Sequence, residues 1–255
     1  MTSRRLLAGR LALLSCLVFA GGCDLKGCRA DNSSGLDPQA SLETLPEPTF
    51  GNVSVAGIVS FEGTVPEPRI VGVGEYCGDV PDTTLVVNDD NGLKNVLVYL
   101  DGAPASTGAG RETAELDQQG CLFVPRTLGV QVGQPFEIVN GDPTRHNVRF
   151  NPDRNERQNL VFATGGERES VVFDRPESDA FGVKCDIHPW MAANVRVFDH
   201  PFYATTDESG RYEIGRVPAG DYELVAWHEL LGERREPVMV ADAGVVAADV
   251  VFARN

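Results

Sequence analysis

Three potential metal ligands stand within seven residues, in the segment Cys185–Met191. Cys185 offers a thiol, His188 an imidazole and Met191 a thioether. Cu(I) prefers soft sulfur and Cu(II) suits imidazole with a thiolate, so this mixture serves both oxidation states in one geometry. The spacing of three residues from Cys185 to His188, and of three more to Met191, lets one tight loop wrap around a single ion. The segment predicts a copper ligand loop.

A second imidazole has to come from elsewhere in the chain. His146 supplies it, 39 positions before Cys185 and just after a predicted strand that ends at Asn140. We expect His146, Cys185, His188 and Met191 to bind one type 1 (blue) copper ion. A binuclear copper centre would need a second cysteine in the loop, a multicopper cluster would need His-x-His pairs, and zinc rarely takes a thioether. The alternative is a structural free thiol near a surface histidine.

The elements that must position these side chains are predicted to be strands. Val53, Val55, Val59 and Phe61 alternate with small or polar residues, a pattern typical of a half-buried strand. We expect further strands at 85–87 and 96–100, joined through a turn at 90–92. No segment after the N-terminal 23 residues shows helical periodicity over three turns. Many short strands separated by turn signals predict an all-β sandwich or barrel.

The region from about 95 to 198 resembles the cupredoxins. The resemblance rests on the ligand loop, on the run 146–148, and on five spaced residues: Phe123, Pro125, Val130, Gly133 and Asn140. The loop pattern Cys-x-x-His-Pro-aromatic-Met is the short version found in amicyanins, whereas plastocyanins have a longer gap before the methionine.

This resemblance implies a Greek-key sandwich and the four copper ligands named above. It also implies that Asn147 links the two ligand-bearing loops by hydrogen bonds, and that His188 is the exit for the electron. Trp190 would shield the copper and offer a flat docking surface. Lys184 and Asp186 make the rim more charged than in amicyanin.

A second resemblance covers roughly 50 C-terminal residues. The runs 205–214 and 217–227 resemble the transthyretin-like (carboxypeptidase regulatory-like) module. We assign residues 51–199 to the cupredoxin domain and 200–255 to a smaller transthyretin-like sandwich. Because that module normally starts with a strand like 53–61, the copper unit is alternatively inserted into it, with strands from 53–100 pairing with the C-terminal ones. No hydrolase motif is present, so we predict no enzymatic activity.

The N-terminus has the features of an export signal. Arg4, Arg5 and Arg10 precede an apolar run, and Ala20-Gly21-Gly22-Cys23 resembles a bacterial lipobox. We expect 1–23 to be a lipoprotein signal peptide with Cys23 acylated, and 24–50 to be a disordered tether. The protein would then be exported and membrane-anchored in the periplasm or at the cell surface. The alternative is an ordinary cleaved signal.

The remaining cysteines and histidines are assigned as follows. Cys77 and Cys121 both stand beside glycine at strand edges, so we predict a disulfide between them, as suits an oxidising compartment. Cys28 is left without a derived role. His200 and His228 are either structural histidines or part of a second metal site.

The charge of the chain bears on its partners. A net charge of −15 argues against nucleic acid as a partner. The expected function is one-electron transfer with a redox protein such as a c-type cytochrome or a periplasmic dehydrogenase. The alternative is a copper carrier or cell-surface binding module without an electron-transfer role. An oxidase or nitrite reductase subunit would need a further copper site with ligands from a second chain.

Overall fold

The computed structural model describes residues 45–67, 69–108 and 111–254, which form strands and no helix. The predicted all-β class is confirmed. The signal segment, Cys23, Cys28 and residues 24–44 of the tether lie outside the described residues. In the part of the chain that is described, no helix is long and apolar enough to cross a membrane.

The strands are numbered in chain order. They are β1 (Val53–Gly63), β2 (Ile70–Gly74), β3 (Gly78–Pro81), β4 (Leu97–Asp101), β5 (Ala114–Gln119), β6 (Leu122–Val124), β7 (Thr127–Gln131), β8 (Pro135–Asn140), β9 (His146–Phe150), β10 (Gln158–Phe162), β11 (Arg168–Val172), β12 (Phe181–Lys184), β13 (Ala192–Phe198), β14 (Tyr203–Thr205), β15 (Arg211–Val217), β16 (Gly220–His228), β17 (Gly232–Val240), β18 (Gly244–Ala247) and β19 (Val250–Arg254).

Two sheets from the middle of the chain pack around one core. One has the strand order β10-β9-β12-β13-β7 and the other the order β11-β8-β5-β6. The pairs β7–β13 and β5–β8 are parallel, and the remaining pairs in these sheets are antiparallel. The apolar side chains of both sheets share a cluster that includes Phe136, Phe150 and Val195. Cys185 and Met191 belong to the same cluster, so the candidate ligand loop is anchored in this core.

Strands from both ends of the described chain form a second core. β1 pairs with β15 in antiparallel and with β18 and β19 in parallel orientation. β4 lies between β14 and β16 in another sheet, which β17 completes. Val53, Val55, Val59 and Phe61 are buried, as the alternation of β1 requires. The range 51–199, which we assigned to the cupredoxin domain, therefore contains two strands, β1 and β4, that pair with C-terminal strands. The strands at 114–198 lie in sequence between β4 and those C-terminal strands.

The two cores are joined by side chains that pack between them. Leu97, Tyr99, Phe198 and Val225 form a small cluster of their own. The guanidinium of Arg196 lies 4.4 Å from the centre of the Tyr99 ring and donates a hydrogen bond of 2.8 Å to its hydroxyl. Such contacts combine a cation–π attraction with burial of aromatic area.

Two local expectations differ from the structure. Residues 85–87 form no strand, and Val87 makes only an isolated bridge to Leu93. The side chain of Asn88 accepts hydrogen bonds from the backbone amides of Asp90 and Gly92, so the local turn takes the polar groups that a hairpin ladder would use. In the predicted tether, Leu45 contacts the first core and Phe50 meets the ring of Phe202 edge-on, although residues 46, 47, 49 and 50 are exposed.

His200 is buried beside two aromatic rings. Its centroid lies 5.2 Å from that of Phe198 and 6.1 Å from that of Phe202, and its Nδ1 accepts a hydrogen bond from the Phe202 amide. Burial, with a smaller contribution from Arg196, lowers the pKa of His200 to about 3. Neither His200 nor His228 belongs to a group of potential metal ligands among the described residues.

This burial predicts a pH-dependent stability. In the unfolded chain His200 takes up a proton as the pH falls through about 6.5, whereas the folded protein resists protonation until about pH 3. The free energy of unfolding should therefore decrease as the pH is lowered from the first of these pH values to the second. His200→Gln should make this decrease smaller while keeping an acceptor for the Phe202 amide. Denaturant titrations of both proteins at about pH 7.5 and about pH 5 test this. Equal losses in the two proteins would contradict it.

Candidate metal centre

The ligand loop closes on itself through its own backbone. Cys185 directly follows β12 and Met191 directly precedes β13, two strands that pair with each other. The amide of Met191 donates to the carbonyl of His188 at 2.9 Å, and the amide of Cys185 donates to the carbonyl of Met191 at 3.4 Å. The amide of His188 points at the Cys185 sulfur, 3.4 Å away. Paired strands on both sides thus hold the three side chains of this loop in a fixed arrangement.

His146 reaches the same place from another strand. It is the first residue of β9, which pairs with β12. The turn before it is held by Asn140, whose side-chain amide donates to the carbonyls of Thr144 and Thr164 and whose oxygen accepts from the Asp142 amide. The His146 ring is completely buried.

The donor atoms of three predicted ligands converge. The Nδ1 atoms of His146 and His188 are 2.9 Å apart, and the Cys185 sulfur lies 3.9 Å from Nδ1 of His188. All three donor atoms lie within 4.8 Å of one another. Two imidazole nitrogens and one thiol, grouped around one point, fit the trigonal His₂Cys set that copper takes in both oxidation states. Met191, the expected axial ligand, is fully buried in the same core.

The electrostatics favour a thiolate beside a protonatable imidazole. Burial raises the pKa of Cys185, but hydrogen bonds from His146 and from nearby backbone amides outweigh it, and the net pKa is lowered. Burial lowers the pKa of His146, but its bonds to Cys185 and Asp142 outweigh it, and the net pKa is raised. Burial and the neighbouring His146 both lower the pKa of His188. A thiolate is the form of cysteine that binds metal.

Asn147 connects the two ligand-bearing segments. Its side-chain oxygen accepts from the Asp186 amide at 2.7 Å and lies 3.5 Å from the Cys185 sulfur. Its side-chain nitrogen donates to Asn159 and to the Asp186 carboxylate, which also pairs with Arg149. The carboxylate of Asp186, one of the charges expected at the rim, thus helps to hold the ligand loop. Asn147 links the two ligand-bearing segments by hydrogen bonds.

The β2–β3 hairpin covers one side of the ligand loop. The ring of Trp190 packs directly on Gly72, and its Nε1 donates to the carbonyl of Cys121 at 3.1 Å. Trp190 is therefore half-buried under the hairpin, and does not offer the open, flat surface that the resemblance implied. His188 is half-buried as well and lines a cavity of about 450 Å³ together with Tyr76, Cys77 and Thr144.

A disulfide fastens the hairpin beside the site. Cys77, in the hairpin turn, is bonded to Cys121, between β5 and β6, with an S–S distance of 2.03 Å. Both sulfurs lie within 4.8 Å of a ring nitrogen of His188. The disulfide leaves Cys185 as the free cysteine among the described residues, so one thiol is available to a metal there.

One buried side chain at the site was not identified from the sequence. The carboxylate of Asp142 accepts a hydrogen bond of 2.9 Å from Nε2 of His146, and it also accepts from the amides of Gly120 and Cys121. An acid four positions before the ligand histidine, in a turn with little other structure, was the available signal. Spacing alone does not say whether such a side chain turns inward.

Comparison with solved structures gives copper proteins. A copper-containing nitrite reductase from Thermus scotoductus SA-01 is 27% identical with a TM-score of 0.30, covering 37% of this chain and 25% of that one. A purple cupredoxin from Nitrosopumilus maritimus is 22% identical with a TM-score of 0.28, covering 33% of this chain and 99% of that one. Amicyanin from Paracoccus versutus is 15% identical with a TM-score of 0.30, covering 40% of this chain and 97% of that one.

These similarities are partial, and this chain spans a quarter of the nitrite reductase chain. No protein-family model and no curated protein matches the sequence. The side chains of the site are therefore the basis for inferring the function.

The contact between Gly72 and Trp190 generates a prediction. A Cβ atom on Gly72 would lie 2.3 Å from the Trp190 ring, so Gly72→Ala should displace the ring or the hairpin. We expect a loss of about 1–3 kcal/mol of stability and stronger acrylamide quenching of Trp190 fluorescence, measured in a Trp227→Phe background. Gly182→Ala is the matched control, because its Cβ would meet nothing within 4 Å. Equal quenching in the two variants would contradict the packing.

Proposed function

We propose that this protein binds one copper ion in a type 1 site and transfers single electrons outside the cytoplasm, without being an enzyme. The observation that carries the proposal is the convergence of His146, Cys185 and His188 from two separate segments, within 4.8 Å of one another. His146, Cys185, His188 and Met191 would hold the ion. When bound, copper would accept one electron as Cu(II) and donate one electron as Cu(I).

The burial of the ligands supports electron transfer over metal delivery. A carrier has to let a receiving protein take over its ligands one by one, whereas His146, Cys185 and Met191 are all buried. Ligands that are held by paired strands and closed off from solvent keep one geometry in both oxidation states. His188 is the candidate ligand that also borders a surface cavity, so its ring is the expected exit for the electron.

The distribution of potential ligands favours one metal centre over several. The described residues contain three groups of side chains with metal-binding potential, and all three include His146 or His188. A reductase of the nitrite-reducing type would therefore need a further copper site built with another chain. The expected partner is a redox protein such as a c-type cytochrome or a periplasmic dehydrogenase.

The location follows from two features. The N-terminal signal with its lipobox would attach the chain to a membrane through acylated Cys23. The disulfide between Cys77 and Cys121 suits the oxidising conditions of the periplasm or cell surface. We propose that β1, β4 and β14–β19 together form the transthyretin-like module, with the copper unit inserted between them in sequence, as the pairing of β1 with β15 and of β4 with β16 supports.

Spectroscopy tests the proposed function. The purified protein loaded with Cu(II) should be intensely blue and should bleach reversibly on reduction. His146→Ala and Cys185→Ser should abolish the colour, because each removes an equatorial ligand. His200→Gln is the matched histidine control, because His200 lies outside the site and this variant should stay blue. A colourless wild-type protein at full copper occupancy would refute the proposal.

The axial position has its own test. Met191→Gln should still bind copper and stay coloured, but with a changed reduction potential, because the axial ligand tunes the potential more than it holds the metal. Voltammetry of the two proteins measures this. An unchanged potential would show that Met191 is packed in the core without contacting the copper.

A further inference from the structure

Asp142 is a buried acid that the proposed function does not yet use. The residue is 2% exposed. One oxygen accepts from the Gly120 amide at 2.7 Å and lies 3.5 Å from the Tyr76 hydroxyl. The other oxygen accepts from the Cys121 amide at 2.8 Å and contacts Nε2 of His146 at 2.9 Å. One carboxylate therefore touches the ligand histidine, the disulfide segment and the covering hairpin.

The contact with His146 decides which of its ring nitrogens faces the metal. A carboxylate accepts hydrogen bonds, so the proton of His146 belongs on Nε2. Nδ1 points toward Nδ1 of His188 and the Cys185 sulfur, and it would carry no proton when a metal is bound. A carboxylate on the remote nitrogen also makes an imidazole a stronger electron donor to its metal. Stronger electron donation by His146, together with the buried negative charge of Asp142, would favour Cu(II) over Cu(I).

We propose that Asp142 is a positioning residue for the copper site, one that orients His146 and lowers the reduction potential by stabilising Cu(II) over Cu(I). The inference rests on the proposed copper function, which it deepens. The hydrogen bond between Asp142 and His146 would help to set the reduction potential. Tyr76 and the amides of Gly120 and Cys121 would hold the carboxylate in place.

Asp117 provides a matched control. Its carboxylate accepts hydrogen bonds from the amides of Gln118 and Gly141, so it holds the neighbouring part of the same turn. It makes no hydrogen bond to a proposed ligand in the part of the chain that the structure describes. Asp142→Asn and Asp117→Asn each remove one negative charge from this region. A general change in charge or in turn stability therefore affects both variants, whereas loss of the bond to His146 affects only the first.

The experiment compares the reduction potentials of the copper-loaded wild type, Asp142→Asn and Asp117→Asn. We expect Asp142→Asn to lower the affinity for Cu(II) relative to Cu(I) roughly tenfold. That factor raises the potential by about 59 mV for one electron. Asp117→Asn should stay close to the wild type, and both variants should remain blue. The Cu(II) paramagnetic resonance spectrum should change in Asp142→Asn alone, since only that variant alters the hydrogen bond made by a ligand.

Distinct outcomes separate the possible failures. A blue wild type whose two variants have the same potential overturns the role of Asp142 and leaves the copper function standing. A wild type that is not blue overturns both. If Asp142→Asn does not fold, proton NMR of the diamagnetic Cu(I) wild type decides. A slowly exchanging, strongly hydrogen-bonded Nε2 proton on His146 supports the inference, and an Nε2 proton that exchanges rapidly with solvent overturns it.

Discussion

Two segments that leave different strands have to bring side chains to one point, and this requirement governs the structure around the site. The loop between β12 and β13 is rigid by itself, because its amides and carbonyls bond within the loop. His146 starts β9, which is the neighbour of β12 in the same sheet. Asn147 then ties the two segments together through the Asp186 amide. A metal ion placed here would find its ligands already arranged, so little free energy would be spent on ordering them.

The second constraint is protection of the site from solvent. The core buries Cys185 and Met191 from one side, and the hairpin at 70–81 lies over Trp190 from another. The disulfide between Cys77 and Cys121 fastens this hairpin to the sheet that carries β5 and β6. Among the described residues, the strands of the second core contribute none of the candidate ligands. The second core meets the first through the cluster around Tyr99 and Phe198, so its contribution to the site is indirect.

The sequence allowed the all-β class and the candidate ligands to be predicted because their signals are local. Cys185, His188 and Met191 stand in one loop, and β1 shows a two-residue period. The partners of β1 were left open, because alternation reports which face is buried but not which strand lies alongside. β18 and β19 pair with it from the far end of the chain.

The position of the β2–β3 hairpin over the site and of the Asp142 carboxylate beside His146 had no local signal in the sequence. The hairpin strands are short and rich in glycine, and Val73 is 70% exposed, so their pattern does not indicate what they cover. The inward turn of Asp142 depends on amides of Gly120 and Cys121, which come from another loop. Contacts of this kind are set by tertiary packing and appear only in three dimensions.

We propose that one metal ion sits among His146, Cys185 and His188. Diffraction data collected at the copper absorption edge, from crystals of the copper-loaded protein, test it most directly. We expect one strong anomalous peak within bonding distance of Nδ1 of each histidine and of the Cys185 sulfur, with the Met191 sulfur beside it. A copper ion bound elsewhere, or one bonded to a single residue of this set, would contradict it.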